Sequence, residues 1–176
     1  MTTILVSGAS GIVGYGILRS LKKSDKSYRL IGTSIYEDSV APAFCDFFEK
    51  APLTNDSHYI EWLKDTINKH NVDLLIPGIE VDMFSWTENI KEINNSGAHT
   101  VLNNPELIKI CKDKWLFYEK LKNTGLNCLI ESSLSNDFKK ISKKFGTPFL
   151  LKPRQGFGSK GIVKPDNIKI FNRFKD

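Results

Sequence analysis

Two apolar runs, Ile4-Leu5-Val6 and Val72 to Ile76, each end at a glycine turn (Gly8; Pro77-Gly78), and each turn opens a stretch of helical spacing. Successive apolar positions, rather than alternating ones, mark strands buried on both faces. Such strands belong to a parallel sheet that helices must cover on two sides. After the first turn Ile12, Val13, Ile17, Leu18 and Leu21 recur at helical spacing up to Lys22-Lys23. Leu30-Ile31 predicts a second strand and Asp46 to Glu49 a third. Tyr59 to His70 reads as a helix with Ile60, Leu63 and Ile67 on one face. Beyond Gly78 the spacing predicts a helix from about Val81 to Ile93. A short strand at Thr100 to Leu102 closes the pattern.

After Asn103-Asn104-Pro105 both pattern and charge change. Residues 1–105 carry 9 Lys/Arg and 13 Asp/Glu, a net of −4, whereas residues 106–176 carry 16 and 7, a net of +9, together the +5 of the chain. The basic part calls for an anionic partner or is simply well solvated. Its elements read as helices over Glu106 to about Asn123, a strand near Cys128 to Glu131, and a helix from Asn136 to Lys144. A strand at Pro148 to Lys152, a glycine loop, a short strand and a helix from Asn167 to Phe174 complete the reading. Phe138, Phe145, Phe149 and Phe157 have core-like spacing.

Several function classes drop out. With 40% hydrophobic and 26% charged residues in 176, the composition is globular. No apolar run reaches the ~18 to 20 residues that cross a bilayer, and no signal-peptide pattern follows Met1. The protein is therefore expected in the cytoplasm. Cys45, Cys111 and Cys128 are widely spaced and form no C-x-x-C, and His58, His70 and His99 are equally scattered. The expectation is three ordinary, partly buried thiols and no metal-binding cluster.

Gly8-Ala9-Ser10-Gly11-Ile12-Val13-Gly14 lies between strand and helix, where free helix amides could receive an anion. The spacing is G-x-x-G-x-x-G, however, with Ala9 where a dinucleotide fingerprint has glycine. The end of the second strand reads Gly32-Thr33-Ser34, without the acid that would hold a ribose. Tight strand-to-helix packing is favoured over a dinucleotide site or a site for another small anion. Tyr118 and Lys122 stand at the Y-x-x-x-K spacing of short-chain dehydrogenases, but Trp115, Tyr118 and Leu121 read more simply as a buried helical stripe.

The stretch from Phe149 to Ile162 is the most informative. A strand delivers Lys152, and then Gly156, Gly158 and Gly161 form a loop that carries Ser159, Lys160 and free backbone amides, with Arg154 just before it. Positive side chains beside exposed amides suit phosphate groups. The loop is not a P-loop, because Ile162 follows Gly161 where Lys and Ser/Thr would be required.

Lys152-Pro153-Arg154 with Gly156 to Gly161, preceded by Cys111-Lys112-Asp113-Lys114 at a helix start, resembles the ATP-grasp superfamily, most closely its carbamoyl-phosphate-synthase-like members. Leu5 to Gly14 and Asp73 to Gly78 resemble the domain that precedes ATP-grasp in such proteins. The resemblance implies an α/β, Rossmann-like parallel sheet with helices on both faces over residues 1–105, and an incomplete α+β ATP-grasp subdomain over 106–176. It implies that Lys114, Lys152, Arg154, Gly156, Gly158, Ser159, Lys160 and Gly161 surround the phosphates of ATP. In that family ATP activates a carboxylate as an acyl phosphate for attack by a nucleophile, commonly an amine. The magnesium-binding acids come from a second half expected after Ile162. The reading is therefore a truncated or partial chain with weak ATP binding, no catalytic residue and no metal site of its own. Magnesium is expected only in a complete parent protein.

The partners expected are a nucleotide, a carboxylate substrate, and either the missing C-terminal half or a second copy, with neither membrane nor nucleic acid. Two alternatives stand beside this ligase reading. One is a short-chain NAD(P)-dependent oxidoreductase using the first glycine turn. The other, the least favoured, is a non-catalytic binding module whose basic, phenylalanine-bearing half contacts nucleic acid.

Overall fold

The computed structural model describes residues 1–156 and 158–175. The chain divides into two compact units, Met1–Pro105 and Glu106–Asp176. In the first, the elements run β1 (Thr2–Val6), α1 (Ile12–Lys22), β2 (Tyr28–Ser34), a 3-10 turn (Ala41–Phe44), β3 (Phe47–Lys50), α2 (Tyr59–His70), β4 (Leu74–Ile76), α3 (Glu80–Glu88), α4 (Ile90–Asn94) and β5 (His99–Thr100). The strands form one five-stranded sheet in the order β3-β2-β1-β4-β5, and every pairing is parallel. Register places Ile4 beside both Leu30 and Leu74, so the two apolar runs become the sheet's centre.

Adjacent strand residues face opposite sides, and both sides are dry. Ile4, Val6 and Leu30 pack with Leu18 of α1 on one face. Leu5, Ile31 and Leu75 pack with Leu63 and Ile67 of α2, Trp86 of α3 and Ile93 of α4 on the other. The expected two-sided parallel sheet is thus the observed one. The single helix expected over Val81 to Ile93 is two helices, broken at Asn89, where φ −111° and ψ 18° leave the helical region. The Asn89 side chain donates to the Ser85 carbonyl at 2.8 Å. A side-chain amide competing for backbone partners at that point favours the break.

The second unit holds α5 (Pro105–Lys112), α6 (Lys114–Lys122), α7 (Phe138–Phe145) and α8 (Ile168–Phe174). Its core is Ile141, Phe149 and Phe171, with Phe138, Phe145 and Leu151 packed against them. Three of the four phenylalanines read as core-spaced therefore meet there, joined by Phe171; the fourth, Phe157, lies outside the described residues. No strand forms at Cys128 to Glu131, and Ile130 is 85% exposed. Without a neighbouring strand to accept its backbone groups, a short apolar segment has no reason to stay extended. The strand expected over Pro148 to Lys152 reduces to one antiparallel bridge, Leu151 to Val163. Helix α7 starts at Phe138 behind an Asp137 cap that accepts from the Lys140 amide. No helix among the described residues is long and apolar enough to cross a membrane.

Candidate functional site

The first glycine turn is a packing device. Gly8 adopts φ +57°, and a Cβ placed on Gly14 would lie 2.4 Å from the Gly8 carbonyl oxygen. A Cβ on Gly78 would lie 2.1 Å from the Ser7 carbonyl oxygen, so the turns after β1 and β4 touch through their backbones. Ser34, where a ribose-binding acid would stand, is buried, and its hydroxyl accepts from the Tyr36 amide at 3.2 Å. Tyr118 packs beside Trp115, with ring centroids 5.3 Å apart and the rings tilted, and Lys122 is exposed. Trp115, Tyr118 and Leu121 are half-buried rather than the buried stripe expected, because α6 buries no side chain fully.

The second site is built by α6 and a hairpin. The backbone amides and carbonyls of Leu151 and Val163 pair at 2.8 and 3.0 Å, which makes residues 152–162 the connection of a two-stranded turn. Within it Gly156, Gly158, Ser159 and Gly161 all have positive φ, a conformation natural to glycine and strained for Ser159. Gly161 lies over Pro153, where a Cβ would approach its ring to 2.8 Å.

Facing the hairpin is the start of α6. Asp113 caps the helix, accepting from the Trp115 and Leu116 amides at 2.9 and 3.3 Å. The same buried carboxylate receives Arg154 through Nε at 3.1 Å and Nη2 at 2.5 Å. Lys114 donates its backbone amide to the Arg154 carbonyl and its Nζ to the Gly156 carbonyl, both at 2.9 Å. Two sequence motifs some 40 residues apart thus meet at one place. Arg154 holds the Asp113 carboxyl below the usual carboxylate range, against the effect of burial and together with the two helix amides.

The structure therefore brings together Lys114, Arg154, Gly156 and, through the closed hairpin, Lys152, Gly158, Ser159, Lys160 and Gly161. Arg154 is turned to Asp113. Lys152 and Lys160 are exposed and have no hydrogen-bonding or ionic partner among the described residues. The Lys114 ammonium rests on a neutral carbonyl, that of Gly156. The same residues do not fit magnesium: among the described residues no three His, Cys, Asp or Glu side chains are grouped to hold a metal, and Asp113 is committed to Arg154.

The sequence reading missed two polar arrangements. One is the Asp113 to Arg154 pair, whose partners are 41 positions apart and carry no local signal. The other is a buried network in the first unit. Thr54 donates to Asp82 at 2.6 Å, and Trp86 Nε1 donates to the Tyr59 hydroxyl at 3.0 Å. Burial, with Asp82 beside it, pushes the Tyr59 hydroxyl well up. A polar depression of about 480 Å³ lies beside α2 and α4, with Glu61, Asp65 and the Lys64–Glu92 ion pair in its wall. Cys111 and Cys128 are exposed, not partly buried as expected; Cys45 is half-buried, and burial raises its thiol.

No protein-family model matches the sequence, and no curated protein is similar to it in sequence. Solved structures are similar in fold. An N5-carboxyaminoimidazole synthetase from Staphylococcus aureus, complexed with ADP, matches 99% of this chain at 19% identity with a TM-score of 0.70. The biotin carboxylase domain of the Hydrogenobacter thermophilus 2-oxoglutarate carboxylase, in complex with MgADP, ADP and bicarbonate, matches 97% at 17% identity and 0.72. Rhizobium etli pyruvate carboxylase matches 96% at 14% identity and 0.69. The chain spans 43, 39 and 16% of these proteins respectively. At such identities the likeness is one of fold alone: this chain shares the fold of a part of each of these synthetases and carboxylases.

Proposed function

We propose that this chain is the N-terminal part of an ATP-dependent carboxylate–amine ligase-like protein of the carbamoyl-phosphate-synthase-like kind. Residues 1–105 would serve as the preceding Rossmann-like domain, and 106–176 as the first part of the ATP-grasp domain. The observation that carries the reading is the contact of Lys114 Nζ with the Gly156 carbonyl at 2.9 Å. It supports one phosphate site made from both basic motifs. An ammonium resting on a neutral carbonyl is open to a phosphate oxygen, a stronger, charge-assisted partner.

Lys114, Lys152 and Lys160 would neutralise the phosphates, and the amides around Gly158 and Gly161 would cover them. Phosphoryl transfer is largely positioning and charge stabilisation, so these are useful groups for it. ATP supplies the phosphoryl group that activates the carboxylate. The nucleotide in the staphylococcal and Hydrogenobacter structures supports ATP as the ligand, and the bicarbonate supports a small carboxylate as second substrate. The remaining length of an ATP-grasp protein, or a second copy, is the partner we expect, and the cytoplasm the compartment, where free thiols persist.

A thermal-shift and calorimetric panel tests this. ATP should bind weakly and lose affinity as salt rises, because exposed charge pairs are screened. Lys152→Ala should remove most of the binding, and Lys122→Ala, off the site, should change little. NADH and single-stranded oligonucleotide should give no shift. Saturable NADH binding that Gly11→Val abolishes would replace this reading by the oxidoreductase. With no grouped metal ligands, the chain alone should turn over no ATP.

A further inference from the structure

Arg154 has two conceivable roles in a basic hairpin: it touches the anion, or it holds the groups that do. The geometry points to the second. Both Nε and Nη2 of its guanidinium are on the Asp113 carboxylate, in the two-point fork that suits this pairing. Asp113 is 6% exposed, and its other donors are the two α6 amides. Were Arg154 to swing to a phosphate, a buried carboxylate would lose its charged partner, which is costly. The neighbouring backbone is fixed in the same place, since the Lys114 amide donates to the Arg154 carbonyl.

We infer that Asp113 and Arg154 form a positioning latch, which locks the start of α6 to the hairpin and so sets Lys114 against Gly156. This inference rests on the nucleotide reading for its ligand and removes Arg154 from the groups that contact phosphate. Asp113, an acid beside the proposed anion site, then serves to aim Lys114.

The two roles predict opposite signs. Asp113→Asn keeps a good helix cap and removes only the negative charge. If Asp113 does no positioning, losing that charge beside a triphosphate leaves ATP affinity unchanged or improves it. The latch predicts a loss of about tenfold, the scale of one charge-assisted pair. Arg154→Lys keeps the charge but loses the fork. A direct phosphate ligand would retain most of its affinity, whereas the latch should lose as much as in Arg154→Gln. The Asp113→Asn, Arg154→Gln double variant should bind no worse than either single one, because both break one unit. Circular dichroism and the melting temperature of each variant report whether the fold is kept.

Hydrogen exchange separates this inference from the nucleotide reading. The Lys114 amide should exchange at least tenfold faster in Arg154→Gln than in the wild type, with no ligand present. If the wild type binds no ATP, the nucleotide reading fails, and the Lys114 amide alone decides the latch. Unchanged exchange there, or tighter ATP binding by Asp113→Asn, overturns it.

Discussion

Gly14 and Gly78 converge on the Ser7-Gly8 peptide, and neither leaves space for a methyl group. At Gly14 the obstacles are backbone atoms, the Gly8 carbonyl oxygen at 2.4 Å and the Ser7 carbonyl oxygen at 2.8 Å, which cannot swing aside as a flexible side chain would. Gly14→Ala should therefore destabilise the first unit by about 1 to 3 kcal/mol, read from urea denaturation. Gly16, two positions on in α1, has open space where a methyl carbon would stand, with nothing within 4 Å. Gly16→Ala should stabilise by about 0.5 to 1 kcal/mol, because alanine gives the unfolded chain less freedom than glycine. Equal effects at the two positions would show that the close approach is not what the glycine spacing serves. The same contacts account for the G-x-x-G-x-x-G spacing through backbone packing. The spacing is dictated by how near one turn's backbone lies to the other's.

Strand β3 is an edge of the sheet, and acidic groups fasten it. Asp46 accepts from the Leu30 amide at 2.8 Å and from Lys22 at 3.3 Å. Glu49 accepts from Lys69 at 2.8 Å and from His70 Nε2 at 2.6 Å. The Leu30 amide, with Lys22, holds the Asp46 carboxyl below its ordinary 3.8 despite some burial. At Glu49 burial raises the carboxyl, but Lys69 and His70 together outweigh it and bring it below 4.5. Both folded values are depressed, so both groups stabilise the fold above their unfolded values, and that contribution is lost as pH falls through the folded ones. Urea midpoints should drop between pH 6 and pH 3. Asp46→Asn with Glu49→Gln should lower the midpoint at pH 6 and shrink that drop. A drop of the same size in the double variant would place the acid sensitivity elsewhere.

Elements of this kind were legible in the sequence where one helix or strand carried its own pattern. Leu63 and Ile67 lie buried at the spacing that gave α2 its limits, and the run Ile4 to Val6 is fully enclosed. The misread elements depended on neighbours. Cys128 to Glu131 has strand-like residues and no strand to join, and the α3–α4 break depends on one Asn side chain reaching back four residues. The candidate site divides in the same way. Lys152 and the glycines stand out by type and spacing, and Lys114 only through the resemblance of its motif. The commitment of Arg154 to Asp113 arises only when the chain closes, and a reading by residue type alone counts that arginine among the phosphate ligands.

At the scale of the molecule, the two units differ in how much core each encloses. The first has two apolar clusters, one on each face of its sheet, with Trp86, Tyr59 and Leu5 fully buried among them. Among the described residues the second has one small cluster around Phe149 and Phe171, while Leu116, Phe117, Ile130 and Leu150 remain exposed. A small core leaves little margin over chain entropy. Calorimetry should therefore show two transitions, the lower one belonging to residues 106–176. All the proposed phosphate groups lie in that unit. A ligand that binds only the folded form at 100 times its Kd adds about 2.7 kcal/mol. For a unit of this size that raises the midpoint by about 10 °C or more. ATP should move the lower transition by that amount and leave the upper one in place, and Lys152→Ala should abolish the movement. A shift of the upper transition alone would locate the nucleotide in the sheet domain and reverse the assignment of the two glycine motifs.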